Sequence, residues 1–502
     1  MIEHDAVIAG AGPTGLMLAA ELALAGTDVV TVERRSHHDL VGSRAGGMTS
    51  RTLEVLDQRG IVERFLAQGF TGQNGHFSGL FFDVSDLPTR HNYGLGLLQH
   101  RIERTLADWI TELDAPIRYG HTITGFTQDD TGVTVAMADG PPLRARYLIG
   151  CDGGRSLVRK AAAIPFPGWD ASLSCLVADV ELTAEPPWGL HRHPSFHSFF
   201  KFEDTDSVRV MVTEPELGNT RQPRLDDIRQ ALISARGTDY GLRNATWISR
   251  FTDTTRQAAT YRDRRVLLAG DAAHIHFPIG GQGLNTGIQD AVNLGWKLAQ
   301  VVRGTSPDSL LDTYHDERHP VAARVLHNTL AQTALNAPGA RTDALRDTMT
   351  ELLAMNQPRT QIAAMMCGLD IHYDLGAGHP LLGRRIPDLD LQTTTGSLRI
   401  FRLLHQARPV LLNLATPGRF TDKAGYDPIS IIDASDTGPW HLPVIGHVPN
   451  PHAVLIRPDG HVAWVDTDGN ATGLQAALTK WITCRPRTRL LAHDDRLTRY
   501  QN

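Results

Sequence analysis

The chain has 502 residues, enough for roughly two to four domains that each bury a core, so a small stapled module is excluded. Hydrophobic residues make up 41% and charged residues 21%, which excludes disordered and collagen-like chains. The formal net charge of −6, from 49 basic and 55 acidic residues, leaves no positive excess to neutralise a phosphate backbone and argues against a nucleic-acid partner.

The opening Met-Ile-Glu-His-Asp lacks the basic region of a secretory signal, and no run of about 18 apolar residues could span a bilayer. A cytoplasmic protein with no membrane partner is expected. Cys151, Cys175, Cys367 and Cys484 are scattered, without a Cys-x-x-Cys pair, so no disulfide framework or metal site is expected and a reducing compartment fits.

Residues 5–9 form a short apolar strand run, followed by Gly10-Ala11-Gly12-Pro13-Thr14-Gly15, a helical stretch over 16–25 and a second strand over 29–32. This strand, Gly turn, helix, strand order suits a dinucleotide. Gly10 permits the tight turn, Gly12 lets a pyrophosphate approach the backbone, and Gly15 lets helix and strand pack closely, with the phosphates over Pro13 and Thr14 at the helix N-terminus. Glu33, about 20 residues on, is placed to accept both hydroxyls of an adenosine ribose, with Arg34 beside it. The motif alone leaves NAD and FAD open.

Residues 69–98, with His76, Phe77, Phe81 and Phe82, are a candidate substrate wall. Residues 147–151 are an apolar strand that delivers Asp152-Gly153 into a helix with basic residues. Between 175 and 260 the pattern changes to alternating stretches at 176–182, 195–202, 208–212 and 246–251. These read as an antiparallel sheet interrupted by one helix over 225–235. On it Trp188, Phe196, Phe199, Phe200 and Arg209 could line a pocket for flat rings, although aromatic alternation is more often plain core. Residues 265–269 deliver a strand into Gly270-Asp271, followed by Pro278, Gly280-Gly281-Gln282-Gly283-Leu284-Asn285 and a long helix to about residue 302.

Asp271 at a strand tip would give a ligand's hydroxyls a fixed anionic acceptor, the alternative being an N-cap of the following helix. The helix beginning near Gly283 would present free amides at Gly283, Leu284 and Asn285. His274 and His276 form an H-x-H, but no third ligand stands at a recognisable spacing, so a packing role is expected. Gly-x-Ser-x-Gly is absent and hydrolase chemistry has no support. A helical region over 309–369 gives way to a Gly-, Pro- and Asp-rich boundary at 376–390. Strand-like stretches follow at 410–414, 430–432, 453–456 and 462–465, then a helix from 474.

The Gly-rich turn, Asp152-Gly153 and Gly270-Asp271 stand in the order of the three fingerprints of the single-component FAD-dependent aromatic hydroxylases, the para-hydroxybenzoate hydroxylase class, and the chain resembles that family. With Ser43-Arg44-Ala45, the Arg51-to-Leu56 stretch, the Gln99 and Glu103 pair, and Arg457-Pro458-Asp459-Gly460-His461-Val462-Ala463-Trp464, it is similar to hydroxylases of bacterial aromatic polyketide pathways of the angucycline, anthracycline and tetracycline types.

The resemblance implies an α/β fold: a Rossmann-like FAD-binding domain (1–174 and 261–388), an inserted antiparallel-sheet substrate domain (175–260, with 69–98 joining its wall) and a thioredoxin-like C-terminal domain (389–502) lacking the redox cysteine pair. It implies non-covalent FAD, NADPH or NADH as transient reductant, O2, and hydroxylation of a polycyclic aromatic phenol through a flavin C4a-hydroperoxide, in a monomer or homodimer. Pro278 and Gly281 would flank the ring, and Arg44 and Gln99 would contact the cofactor; no residue is assigned as catalytic, because the flavin carries the chemistry. Baeyer–Villiger oxygen insertion and antibiotic-inactivating oxidation of rifamycins or tetracyclines are the alternatives within the family. A non-catalytic flavoprotein is the remaining one.

Overall fold

The computed structural model describes residues 2–39, 42–193, 195–201, 207–423, 426–427, 429–436, 438–482 and 485–486; Cys484 lies outside them. Strands β1 (His4–Ala9) and β2 (Val29–Glu33) pair in parallel from Ala6 opposite Val29 to Ala9 opposite Val32. Their apolar runs are buried, as strands covered by helices on both faces must be. Helix α1 (Pro13–Leu24) joins them and starts with Pro13, whose missing N–H has no intrahelical partner to lose. Helix α2 (Gln99–Glu112) packs beside α1, and β3 (Leu143–Gly150) pairs in parallel with β1 on the side away from β2.

The chain then leaves this sheet to build a second one from β4 (Ser174–Glu181), β5 (His197–Lys201), β6 (Val208–Thr213) and β7 (Asn244–Thr252), with helix α3 (Leu225–Arg236) inserted before β7. The order is Gly189–His191, β5, β6, β4, β7, antiparallel throughout. Because side chains alternate across a strand, one face carries Leu176, Ala178, Phe199, Val210 and Val212 under α3, whereas the other carries Cys175, Phe196, Met211 and Phe251.

The chain returns through β8 (Val266–Leu268), parallel to β3, into α4 (Gln282–Val302), which lies along α1, and α5 (Asp312–Asn336). A small three-stranded sheet of Gly168–Trp169, Thr255–Gln257 and His274–Ile275 stitches the two large sheets together. The C-terminal part contains β9 (Val410–Asn413), β10 (Ser430–Asp433), β11 (Ala453–Ile456), β12 (Val462–Asp466) and α6 (Leu474–Trp481), in the order β10, β9, β11, β12. The first pair is parallel and the others antiparallel. Trp464, Leu478 and Trp481 pack on Trp296 of α4, seating this unit against the first. Among the described residues no helix is long and apolar enough to cross a membrane.

Candidate cofactor and substrate cleft

Two of the three glycines in the turn after β1 are required by sterics, and the third leaves open space. Gly10 has φ +102°, and a Cβ on it would lie 2.6 Å from the Cys151 carbonyl oxygen; one on Gly15 would lie 2.0 Å from the Gly10 oxygen. A Cβ on Gly12 would meet nothing within 4 Å. The α1 N-terminus has no side-chain cap, so its first amides are free.

At the tip of β2, Glu33 accepts Ala11 N–H (2.8 Å) and Arg35 N–H (2.9 Å). Burial pushes this carboxyl up, but the two amides and the Arg35 guanidinium outweigh it and hold the group below the usual range. Arg35 also donates to Glu103 (2.9 Å) and to the Ala11 carbonyl (2.9 Å). Gln99 donates to Glu103 (2.7 Å) and accepts Ala45 N–H at 3.4 Å. Arg34, expected beside the ribose, is exposed, whereas Arg35, which no motif signals, turns back into the cradle.

Gly270 has φ +61°, and a Cβ on it would strike Thr14 Oγ1 at 2.5 Å. Thr14 is therefore a spacer between α1 and this turn. Next to it Asp271 is exposed, and its carboxylate has no hydrogen-bond partner among the described residues. Asp152 differs: its Oδ2 accepts Leu157 N–H (2.7 Å) and Val158 N–H (3.1 Å), capping the short helix Leu157–Ala161, and Oδ1 is buried without a partner. Arg159 of that helix donates to the Ala272 and Gly154 carbonyls (2.8 and 2.9 Å), tying the Asp-Gly and Gly-Asp turns together.

Pro278 precedes the 3-10 turn Ile279–Gly281, in which Gly280 and Gly281 are left-handed (φ +73° and +63°). The α4 N-terminus that follows has no side-chain cap, so the amides at Gly283, Leu284 and Asn285 are free of one. The Asn285 side chain donates to the Gly281 carbonyl (2.8 Å) and accepts Thr49 N–H (2.9 Å). Two uncapped helix N-termini, an open Gly12, the Glu33 carboxylate at the tip of β2 and an Asp271 without a partner among the described residues make a donor and acceptor set of the kind that the pyrophosphate, ribose and ribityl groups of FAD require. The residues fit the cofactor.

Arg44 crosses the cleft, with Nη2 donating to Ser249 Oγ (3.1 Å) and to the Arg250 carbonyl (2.9 Å) on β7. The cleft walls desolvate it and lower its pKa, opposed by the Asp271 charge and reinforced by Arg155.

The wall facing this cradle is the second face of the inserted sheet, where Phe277 packs edge-on to Phe196 (6.2 Å) and tilted against Phe251 (5.5 Å), with Met211 and Ile279 beside them. Phe199 is a correction. It is 0% exposed beneath α3, stacked edge-on to Tyr240, because an odd-numbered position on β5 points away from the cleft. Arg209 faces the cleft side but is committed to Asp179 through two bonds of 2.8 Å, beneath Trp247. Trp188 stands outside the aromatic cluster, half-exposed and bonded to Glu185. Phe81, 71% exposed, sits on a hairpin whose Phe77 and Phe82 are buried against Leu335, Leu353 and Ala363. His274 and His276 do not converge: Nε2 of His274 bonds Asp290 (2.7 Å), and Nδ1 of His276 bonds the Phe277 carbonyl (2.7 Å).

Residues 3–329 match the family described as FAD binding domain, and residues 379–484 match that described as aromatic-ring hydroxylase, C-terminal. The chain is 42% identical over 502 residues, covering 96% of its length and 99% of the relative, to a 12-dehydrotetracycline 5-monooxygenase/anhydrotetracycline 6-monooxygenase of Streptomyces rimosus. It is 43% identical over 473 residues (92% and 96% covered) to a rifampicin monooxygenase of Streptomyces venezuelae. It superimposes on the crystal structure of an aromatic hydroxylase from angucycline biosynthesis with a TM-score of 0.89 at 40% identity, covering 96% of this chain and 100% of that one.

Proposed function

Because this chain belongs to the FAD-dependent aromatic-ring hydroxylases and is a FAD-dependent monooxygenase, we propose that it hydroxylates a polycyclic aromatic phenol of polyketide type. The observation that carries this reading is the apolar wall of Phe196, Met211, Phe251 and Phe277 on the cleft-side face of the inserted sheet, a surface suited to packing a flat fused-ring system. The anhydrotetracycline and rifampicin activities of its relatives, and the angucycline pathway of its structural neighbour, support a substrate of that class.

Bound FAD, reduced by NADPH or NADH, activates O2 so that one oxygen atom enters an electron-rich ring carbon and the other leaves as water. The chain's own residues hold and shield the reactants. The Gly10–Gly15 turn and the α1 amides take the pyrophosphate, Glu33 the ribose hydroxyls and Asp271 the ribityl hydroxyls. The amides at Gly283, Leu284 and Asn285 stabilise negative charge on the pyrimidine edge of the reduced ring, which Pro278 and Gly281 flank. The Phe wall excludes water from the reacting atoms.

The division into an FAD-binding unit, an inserted substrate sheet and a C-terminal unit of thioredoxin-like strand order belongs to the same proposal. Steady-state NADPH oxidation with a panel of polycyclic phenols tests it. The expected result is substrate-stimulated oxidation and a product with one added oxygen, placed by NMR as a ring hydroxyl. A lactone product supports oxygen insertion into a ketone instead, and no stimulation by any polycyclic phenol refutes the substrate class.

A further inference from the structure

The turn between β11 and β12, Arg457-Pro458-Asp459-Gly460-His461, is buried. Arg457 is 0% exposed, Asp459 1% and His461 4%. Turns normally run over surfaces, where water satisfies their polar groups; this one is inserted behind the cofactor cradle. Arg457 donates to both Glu317 oxygens on α5 (2.6 and 2.7 Å) and pairs with Asp459, while Arg59 donates to the Pro458 carbonyl (2.9 Å).

From the turn a continuous buried chain leads to the cradle. The His461 ring stacks on Tyr373 with centroids 4.2 Å apart. The Tyr373 hydroxyl accepts from Arg318 Nη1 (3.1 Å), and Arg318 Nε donates to Asp290 Oδ1 (2.7 Å). Asp290 Oδ2 accepts from His274 Nε2 (2.7 Å) and from the Gly270 amide at 3.2 Å. Arg318 and Asp290 are both wholly buried, so a lapse in any of their bonds leaves a charge unpaired in a low-dielectric interior. Gly270 is left-handed and has no side chain to restrain it; the Ala273 amide holds its carbonyl (2.8 Å), and the Asp290 bond holds its amide, the side-chain restraint on the backbone directly before Asp271.

We propose that the Arg457–His461 turn of the C-terminal unit is part of the cofactor-binding apparatus. Through Tyr373, Arg318 and Asp290 it holds the Gly270-Asp271 turn where Asp271 meets the ribityl chain, with Asp290 and Arg318 as positioning residues. This rests on the FAD reading of the cradle.

FAD is titrated into full-length, flavin-stripped wild type, Tyr373→Phe, Asp290→Asn and Arg399→Ala. Flavin fluorescence gives Kd, visible circular dichroism reports the bound ring, and thermal unfolding gives the stability of the flavin-free protein. Arg399 bonds Asp57 (2.6 Å) across the same seam but lies off the chain to Asp290.

The expected result is a Kd raised about threefold or more in Tyr373→Phe and about tenfold in Asp290→Asn. The dichroism of the bound ring changes in both, whereas Arg399→Ala keeps Kd within about twofold whatever its Tm. Tyr373→Phe removes one hydroxyl from an otherwise unchanged ring and keeps the test decisive should Asp290→Asn not fold. Wild-type Kd and dichroism in Tyr373→Phe, or an equal loss in Arg399→Ala, overturn the proposal while leaving the FAD reading intact. A wild type that takes up no FAD sinks both.

Discussion

Alanine at each glycine of the first turn separates backbone geometry from cofactor binding. At Gly15 the new methyl would lie 2.0 Å from the Gly10 carbonyl oxygen, so α1 must shift off β1, an overpacking cost of about 1–3 kcal/mol. At Gly10 a left-handed φ of +102° adds about 1–2 kcal/mol to a 2.6 Å clash with the Cys151 oxygen. Both variants should lower the Tm of the flavin-free protein. Gly12 is extended (φ −79°, ψ 178°) and a methyl there meets nothing, so Gly12→Ala should leave that Tm unchanged or raise it, by about 0.4–1 kcal/mol of stability. Its methyl occupies the space through which a pyrophosphate reaches the α1 amides. Losing two charge-assisted bonds of about 1.5–3 kcal/mol each weakens FAD at least about a hundredfold. Thermal unfolding without flavin and fluorescence titration with FAD read the two effects separately. Wild-type FAD affinity in Gly12→Ala, or a Tm loss equal to that of Gly15→Ala, would refute the assignment of that space to the pyrophosphate.

Asp271→Ala should weaken FAD by about 1.5–3 kcal/mol, yet leave the flavin-free Tm unmoved because the carboxylate has no hydrogen-bond partner among the described residues; unchanged affinity removes it from the site. Phe251→Ala should raise KM for a polycyclic substrate about tenfold with FAD retained. Phe199→Ala should cost about 3–5 kcal/mol of stability and leave KM alone, and a reversed pattern contradicts the assignment of faces. Glu317 is held at about 2, the Arg457 and Lys297 cations outweighing the upward push of burial, so its contribution is complete above its ordinary 4.5 and lost as pH falls toward 2. Burial holds His461 at about 3, so the neutral ring loses stability as pH falls below its ordinary 6.5. Tryptophan fluorescence from Trp296 and Trp481, 6.5 Å apart, should show the seam weakening from about pH 6.5, and His461→Gln should move the onset toward 4.5. An unmoved onset contradicts the neutral buried histidine.

The strand, turn, helix, strand order over 4–33 was legible in the sequence because glycine steric freedom and strand apolarity are local properties. The same holds for the Gly270-Asp271 turn, the start of the long helix near residue 283 and the four C-terminal strands, whose observed bounds lie within two residues of the expected ones. Side-chain direction was less accessible. Aromatic composition nominated Phe199 together with Phe196 and Phe200, although period-two alternation already separates the odd from the even positions. Arg34 and Arg35 differ only in which way the chain turns after β2. Asp152 caps a helix whose first turn it precedes by five residues, a spacing that no motif reveals. The Arg457–His461 turn was least legible: Arg457 meets Glu317 at 140 residues' separation, so its burial follows from how the C-terminal unit docks.

A nicotinamide nucleotide and FAD should together let this chain place one atom of O2 on a polycyclic aromatic ring. The most direct measurement is turnover of the FAD-loaded protein under 18O2 with NADPH and a polycyclic phenol, with product mass and NADPH consumption followed together. One 18O atom in the product hydroxyl is expected for each NADPH consumed in coupled turnover. A product that carries no label, or NADPH consumption that yields only hydrogen peroxide with every aromatic tested, would contradict it.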